Sequence, residues 1–120
     1  MKVKTLLVTG YGINAGRELA EAFRRAGAEV EEIHVGDLVP RPEILLDFNI
    51  FAVPGGFSFG DHLGSGKILA FFLKKHLEEG LRRFVAEGGL VIGICNGFQV
   101  LVKMGILPFP EGEWRQQASL

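Results

Sequence analysis

Apolar and polar positions follow two different periods along the chain, and together they predict alternating strands and helices. Four short runs rich in apolar residues predict β-strands over residues 5–9, 30–35, 48–53 and 90–94. Between them, apolar residues recur at helical spacing and predict helices over residues 14–26, 65–76, 78–87 and 97–103, with a short helix opening at Pro42. Gly80 interrupts the longest helical stretch and predicts a break near it.

The order of these elements predicts the fold class. Apolar strands that alternate with helices are typical of a parallel sheet covered on both faces, here a doubly wound, flavodoxin-like α/β domain. Asn14 is the expected N-cap of the first helix and Gly27 the residue just after its end. Ligands of such sheets bind beyond the carboxyl ends of the strands. We therefore expect the turns at Gly10, Pro54 and Cys95 to converge.

The last part of the sequence indicates an incomplete domain. Residues 108–120 contain no clear closing helix or strand, and a sheet of four parallel strands would leave an apolar edge uncovered. We therefore expect residues 1–120 to be the N-terminal part of a single larger domain. The uncovered edge also favours self-association.

Composition narrows the classes of partner. The chain carries 13 Lys and Arg against 14 Asp and Glu, a net charge of −1, which argues against nucleic acid as a ligand. No run approaches the roughly 18 apolar residues of a membrane helix, so no membrane partner is expected. A single cysteine and the lack of a secretory cleavage site favour the reducing cytoplasm.

Cys95 is the candidate nucleophile. It ends the fourth apolar run in a turn, residues 93–97, that reads Gly-Ile-Cys-Asn-Gly and leads into a helical pattern. This is the arrangement of a nucleophile elbow, in which the helix N-terminus favours the thiolate. The alternative is a small cysteine buried in the core.

A second glycine cluster lies after the third strand, where residues 54–61 read Pro-Gly-Gly-Phe-Ser-Phe-Gly-Asp. The backbone N–H groups of Gly55 and Gly56, with the N–H of Asn96, could form an oxyanion hole for acyl transfer. The alternative is an ordinary glycine-rich turn between a strand and a helix.

These two segments, with Cys-Asn-Gly-Phe-Gln at residues 95–99, resemble the class I glutamine amidotransferases, and most specifically the glutaminase subunits of phosphoribosylformylglycinamidine synthase. The resemblance extends from residue 1 to about residue 108. It implies that Cys95 attacks the side-chain amide of glutamine, forms a γ-glutamyl thioester and releases ammonia. It also implies oxyanion contacts from Gly55, Gly56 and Asn96, and glutamine binding by Gln99; the alternative for Gln99 is a solvated helix residue.

The resemblance also implies a partner. A separate synthetase subunit would use the ammonia, with ATP and Mg, to convert formylglycinamide ribonucleotide into its amidine during purine biosynthesis. This chain itself is expected to hold no metal and no cofactor.

The sequence departs from that family in its catalytic triad. The family completes the triad with a His and a Glu far downstream of the cysteine, and this chain ends before that region. Its own histidines, His34, His62 and His76, lack that context and are expected to be structural or solvated. A cysteine nucleophile without an imidazole lacks its proton shuttle. The isolated chain is therefore expected to be a weak or inactive glutaminase.

Three other interpretations remain open from the sequence. A cysteine protein of the DJ-1/PfpI type needs a carboxylate near the end of the first strand, but the first acid after that strand is Glu18. A dinucleotide-binding domain needs the spacing Gly-x-Gly-x-x-Gly, which the glycines at positions 10, 12 and 16 miss by one residue. The third is a non-catalytic interaction fragment, in which Cys95 is a relic.

Overall fold

The computed structural model describes residues 2–10, 16–55, 65–94 and 96–104. The strands of this part of the chain are β1 Lys4–Thr9, β2 Glu29–His34, β3 Ile50–Val53 and β4 Leu90–Gly93. The helices are α1 Gly16–Arg25, α2 Val35–Leu38, α3 Ser65–Ala86 and α4 Asn96–Met104, with a 3₁₀ helix at Pro42–Asp47.

The four strands form one parallel sheet in the order β2-β1-β3-β4. In the register of the sheet, Thr5 pairs with both Val30 and Ile50, and Ile50 pairs with Leu90. All four carboxyl ends therefore lie at one edge, as expected when each connection crosses over through a helix. The predicted doubly wound α/β fold class is confirmed.

Side chains alternate between two cores on opposite faces of the sheet. On one face, Leu6 and Val8 of β1 and Phe51 of β3 are buried beneath α3 and α4. On the other face, Leu7 and Ala52 pack with Ala20 of α1 in a smaller core. Full burial of a large apolar side chain contributes about 1.5–3 kcal/mol, so the α3 face supplies most of the hydrophobic stabilisation.

The two edge strands of the described sheet differ in chemistry. β2 carries three exposed glutamates, Glu29, Glu31 and Glu32. β4 has no charged residue, and its side chains alternate between half-buried and exposed. Within the described sheet, β4 is therefore the edge strand without charge; whether it stays uncovered, as the sequence predicts, is not decided by the described residues.

The break expected near Gly80 is wrong, because α3 is one continuous helix of 22 residues. Leu77 and Leu81, on either side of Gly80, are buried in the main core, which offsets the roughly 1 kcal/mol that glycine costs in a helix. Gly80 also faces the 3₁₀ helix: a Cβ built on it would lie 3.4 Å from Cβ of Pro42. Gly80 is therefore a position where α3 packs closely against the 3₁₀ helix, and it does not end α3.

Two helix ends can be compared with their predictions. Gly27 has a φ of 96°, the left-handed conformation expected of the residue after a helix end, and its N–H donates to the carbonyl of Arg24. The predicted cap Asn14 lies outside the described residues. The short helix α2 was not predicted; it begins where Nδ1 of His34 accepts a hydrogen bond from the N–H of Gly36 at 2.9 Å.

Candidate active site

The carboxyl ends of β3 and β4 are joined by backbone hydrogen bonds. The N–H of Ile94 donates to the carbonyl oxygen of Val53 at 3.1 Å, and the carbonyl oxygen of Ile94 accepts from the N–H of Gly97 at 2.8 Å. The residue that precedes Cys95 in the sequence is thus tied to the last residue of β3 and to the first turn of α4.

Gly97 lies directly against the backbone of the β3 end. A Cβ built on Gly97 would overlap the carbonyl oxygen of Val53, and it would lie 3.1 Å from the carbonyl oxygen of Pro54. A methyl group therefore cannot fit there unless the backbone moves. The contact brings the N-terminus of α4 beside Pro54. Of the three turns that were expected to converge, the turn at Pro54 and the one that leads into α4 therefore begin next to each other.

The predicted site residues divide into described and undescribed groups. Gly55 is buried at the end of β3. Asn96 and Gln99 lie in α4, where their backbones are described but their side chains are not. Cys95 and Gly56 lie outside the described residues. The catalytic and binding roles of all five stay predictions.

The turn after β1 lies at the same edge of the sheet but faces β2. Gly10 has a φ of 121°, and a Cβ built on it would lie 3.0 Å from Nε2 of His34 and 3.2 Å from Cγ1 of Val35. The described part of this turn therefore packs against the end of β2, on the side of β1 away from β3 and β4.

The two described histidines lie on different elements. His34 ends β2, and three strand spacings of about 4.8 Å place it roughly 14 Å across the sheet from β4. His76 lies in the middle of α3 and lines a cavity of about 410 Å³ with Glu43 of the 3₁₀ helix. His62 lies outside the described residues.

Sequence reasoning identified Gly97 as part of the turn but not its partner. Gly97 packs against the backbone carbonyl groups of Val53 and Pro54. Every residue has such a carbonyl group, so the sequence does not show which of them a glycine will contact. Within residues 2–10, 16–55, 65–94 and 96–104, no three His, Cys, Asp or Glu side chains are grouped as a metal site would require. None of the helices in these ranges has the length and apolar character of a membrane span.

A doubly wound sheet with a glycine-lined strand end beside a helix N-terminus defines a class of α/β proteins with a site at the carboxyl edge. Residues 2–120 match the CobB/CobQ-like glutamine amidotransferase domain, and the chain belongs to that family. This membership favours the amidotransferase interpretation over the DJ-1/PfpI and dinucleotide-binding alternatives.

Individual relatives carry a more specific name. The chain is 50% identical over 109 residues to phosphoribosylformylglycinamidine synthase subunit PurQ of Dehalococcoides mccartyi, covering 91% of this chain and 43% of that protein. It is 41% identical to the PurQ subunit of Methanococcus maripaludis strain C5, covering 99% of this chain and 44% of that protein. The chain thus spans less than half the length of these relatives.

A solved structure agrees with the sequence relatives. A chain in the structure of PurLQS from Thermotoga maritima superposes with a TM-score of 0.70 at 31% identity, over 89% of this chain and 46% of that one. The described sheet and helices therefore have a counterpart of the same fold in that structure.

Proposed function

We propose that this chain is the N-terminal part of the glutaminase subunit of phosphoribosylformylglycinamidine synthase. The observation that supports the proposal most is the contact of Gly97 with the Val53 carbonyl, because it puts the start of α4 beside the end of β3, where the two glycine-containing segments of the sequence begin. A relative that is 50% identical over 109 residues carries the name of that subunit.

The proposed chemistry is acyl transfer to sulfur. The thiolate of Cys95 attacks the side-chain carbonyl carbon of glutamine, and the carbonyl oxygen becomes an oxyanion. The backbone N–H groups of Gly55, Gly56 and Asn96 would donate to that oxygen. The C–N bond then breaks, the nitrogen takes up a proton and leaves as ammonia, and water later hydrolyses the γ-glutamyl thioester to glutamate and free thiol.

Substrate binding and thiolate stabilisation would come from α4. Its N-terminus begins directly after Cys95, so its aligned peptide dipoles favour negative charge on the sulfur. Gln99 lies one helical turn further along and would help to hold the glutamine.

The partner would be the synthetase subunit, which takes up the ammonia and uses ATP and Mg; this chain would contribute neither a metal site nor a cofactor. The proposed nucleophile is a free thiol, and thiols are kept reduced in the cytoplasm. A cytoplasmic location therefore fits the proposed role in purine biosynthesis.

Covalent labelling tests the proposed nucleophile. A diazo-ketone analogue of glutamine, incubated with the chain at neutral pH, should form one adduct on Cys95, identified by mass spectrometry of peptides. Glutamine should slow the labelling, because it competes for the same pocket. The Cys95→Ser variant is the control and should remain unmodified. Labelling no faster than that of glutathione, and insensitive to glutamine, would contradict the proposal.

Glutamate release tests the missing base. Loss of general acid–base catalysis costs about 10²–10⁴-fold, so the isolated chain should release glutamate at least about 100-fold more slowly than the intact D. mccartyi relative. A chimera that appends the remaining part of that relative should recover activity, and Cys95→Ser should abolish it. Full turnover by the isolated chain would refute the missing-base argument; an inactive chimera would refute the proposed function.

A further inference from the structure

The imidazole ring of His34 lies between two glycines that belong to different elements. A Cβ built on Gly10, directly after β1, would lie 3.0 Å from Nε2 of the ring. A Cβ built on Gly36, in α2, would lie 3.1 Å from Nδ1 of the same ring. Both distances are shorter than the usual separation of non-bonded atoms, so both positions suit a residue without a side chain. We call His34, Gly10 and Gly36 the His34 cluster.

One hydrogen bond within the His34 cluster depends on the protonation state of the ring. Nδ1 of His34 accepts the N–H of Gly36 at 2.9 Å, and this bond caps the N-terminus of α2. A ring nitrogen that accepts a hydrogen bond carries no proton, so the neutral ring carries its proton on Nε2. An imidazolium has two donors and no acceptor. The cap therefore requires a neutral ring.

Charged groups of both signs lie on the elements around the His34 cluster. Glu32 is two residues before His34 in β2 and so belongs to the same face of the sheet. Its Oε1 lies 3.4 Å from a Cβ built on Gly16, where α1 begins. The charged residues on β1, in the first turn of α1 and on α2 are Lys4, Arg17, Glu18 and Asp37.

Among these groups, the imidazole is the one whose charge is expected to change near neutral pH. Carboxyl, ammonium and guanidinium groups ordinarily titrate outside the range from about pH 5.5 to 8. Histidine ordinarily changes its charge within that range. His34 is also exposed in the described part of the chain, so solvent can deliver the proton.

We propose that protonation of His34 breaks the cap of α2 and loosens the packing of Gly10 in one step. A proton on Nδ1 would face the N–H of Gly36, so two donors would meet and the ring would have to turn. Because Gly10 packs against the Nε2 edge of the same ring, this rotation also moves the surface that Gly10 contacts. One proton thus couples the end of β1 to the start of α2. The inference goes beyond the proposed function and does not rest on it.

The sign of the pH dependence follows from the geometry. The cap forms only with the neutral ring, so its contribution is present at about pH 7.5 and lost as the pH falls to about 5.5. Loss of an N-cap hydrogen bond corresponds to about a fivefold increase in local opening. We therefore expect the N–H of Gly36 to exchange with solvent about fivefold faster at the lower pH, after correction for the intrinsic pH dependence of amide exchange.

Nuclear magnetic resonance of the ¹⁵N-labelled chain tests the coupling. The backbone signals of Gly10 and Gly36 should shift together between about pH 5.5 and 7.5, with the same midpoint as the ring signal of His34. The matched control is His34→Asn, because asparagine is a strong N-cap that accepts the N–H of Gly36 without titrating. In this variant both backbone signals should stay constant across the range.

Two further variants separate the cap from the titration. His34→Ala removes the acceptor, so the N–H of Gly36 should exchange about fivefold faster at both pH values. His76→Asn removes an exposed imidazole from α3 and should leave the pH response of Gly10 and Gly36 unchanged. Circular dichroism of each variant checks that the fold is retained, as expected for exposed positions.

Three results would overturn the proposal. One is a pair of Gly10 and Gly36 signals that shift with different midpoints, which would mean that the two contacts are not coupled. Another is the same pH response in His34→Asn as in the unmodified chain, which would assign the response to a different group. The third is a neutral ring with its proton on Nδ1, seen in long-range ¹H–¹⁵N spectra at pH about 8, because that ring cannot accept the N–H of Gly36.

Discussion

At the scale of single residues, the missing side chain of Gly97 allows α4 to begin against the carbonyl group of Val53. The glycine could be recognised from the sequence as part of a tight turn after an apolar run. Its packing partner could not, because a backbone carbonyl from a strand some 40 residues earlier is brought there by the sheet order and not by any local pattern.

Substitution of Gly97 by alanine should destabilise the chain and displace the elbow. The added methyl group overlaps backbone, which cannot rotate away as a side chain can, so the free energy of unfolding should fall by about 3 kcal/mol. Urea unfolding followed by circular dichroism measures this. Unchanged stability would mean that α4 and the end of β3 are not in close contact.

Thr5 shows a second residue-scale feature, a buried hydroxyl. Its side chain is fully buried in β1, and its Oγ1 has no hydrogen-bond partner among the described residues. Burial of a hydroxyl without a partner costs about 1–3 kcal/mol in proteins. Thr5→Val keeps the shape and removes the hydroxyl, so it should raise the free energy of unfolding by about 1 kcal/mol.

The control for this prediction is Thr5→Ser, which keeps the hydroxyl and removes the methyl group. It should lower stability by about 1 kcal/mol through the lost packing. If Thr5→Val proves less stable than the unmodified chain, the hydroxyl has a partner that stabilises the fold.

At the scale of elements, apolar patterning was sufficient for all four strands, although only β1 and β3 are largely buried. It failed for α3, where the low propensity of Gly80 suggested two helices. A helix that packs on the core through Leu73, Leu77 and Leu81 gains more from burial than one glycine costs. It also missed α2, whose four residues are too few to show a period.

Gly80→Ala should therefore stabilise α3. A Cβ there would lie 3.4 Å from Cβ of Pro42 and 3.5 Å from Cδ1 of Leu45, both ordinary contact distances. Alanine loses less backbone entropy than glycine on folding, so the free energy of unfolding should rise by about 0.5–1 kcal/mol. Thermal unfolding measures it, with Gly97→Ala as the oppositely signed control. A loss of stability would show that the 3₁₀ helix has no room for a methyl group.

At the scale of the whole molecule, sheet direction and the edge that carries the candidate site followed from the alternation of strands and helices. Strand order did not, because apolar runs of similar composition do not specify their neighbours. The strand order determines which residues can meet at the carboxyl edge. It puts the ends of β3 and β4 side by side, and it puts His34 on β2, the strand furthest from β4. The expectation that His34, His62 and His76 are structural or solvated stays a prediction.

The central position of β1 has a consequence for synthesis on the ribosome. β1 emerges first, yet one of its two neighbours is β3, and Lys4 donates its N–H to the side chain of Asn49, 45 residues later. At about 5–20 residues per second, the nascent chain waits roughly 2 to 9 seconds before that neighbour has been made. Leu6, Leu7 and Val8 are fully buried in the folded chain. Throughout this interval they lack β3, one of the two strands that flank β1 in the sheet. Of the four described strands, β1 is therefore the one that waits longest for its second neighbour, and a chaperone at the ribosome exit would protect it during that wait.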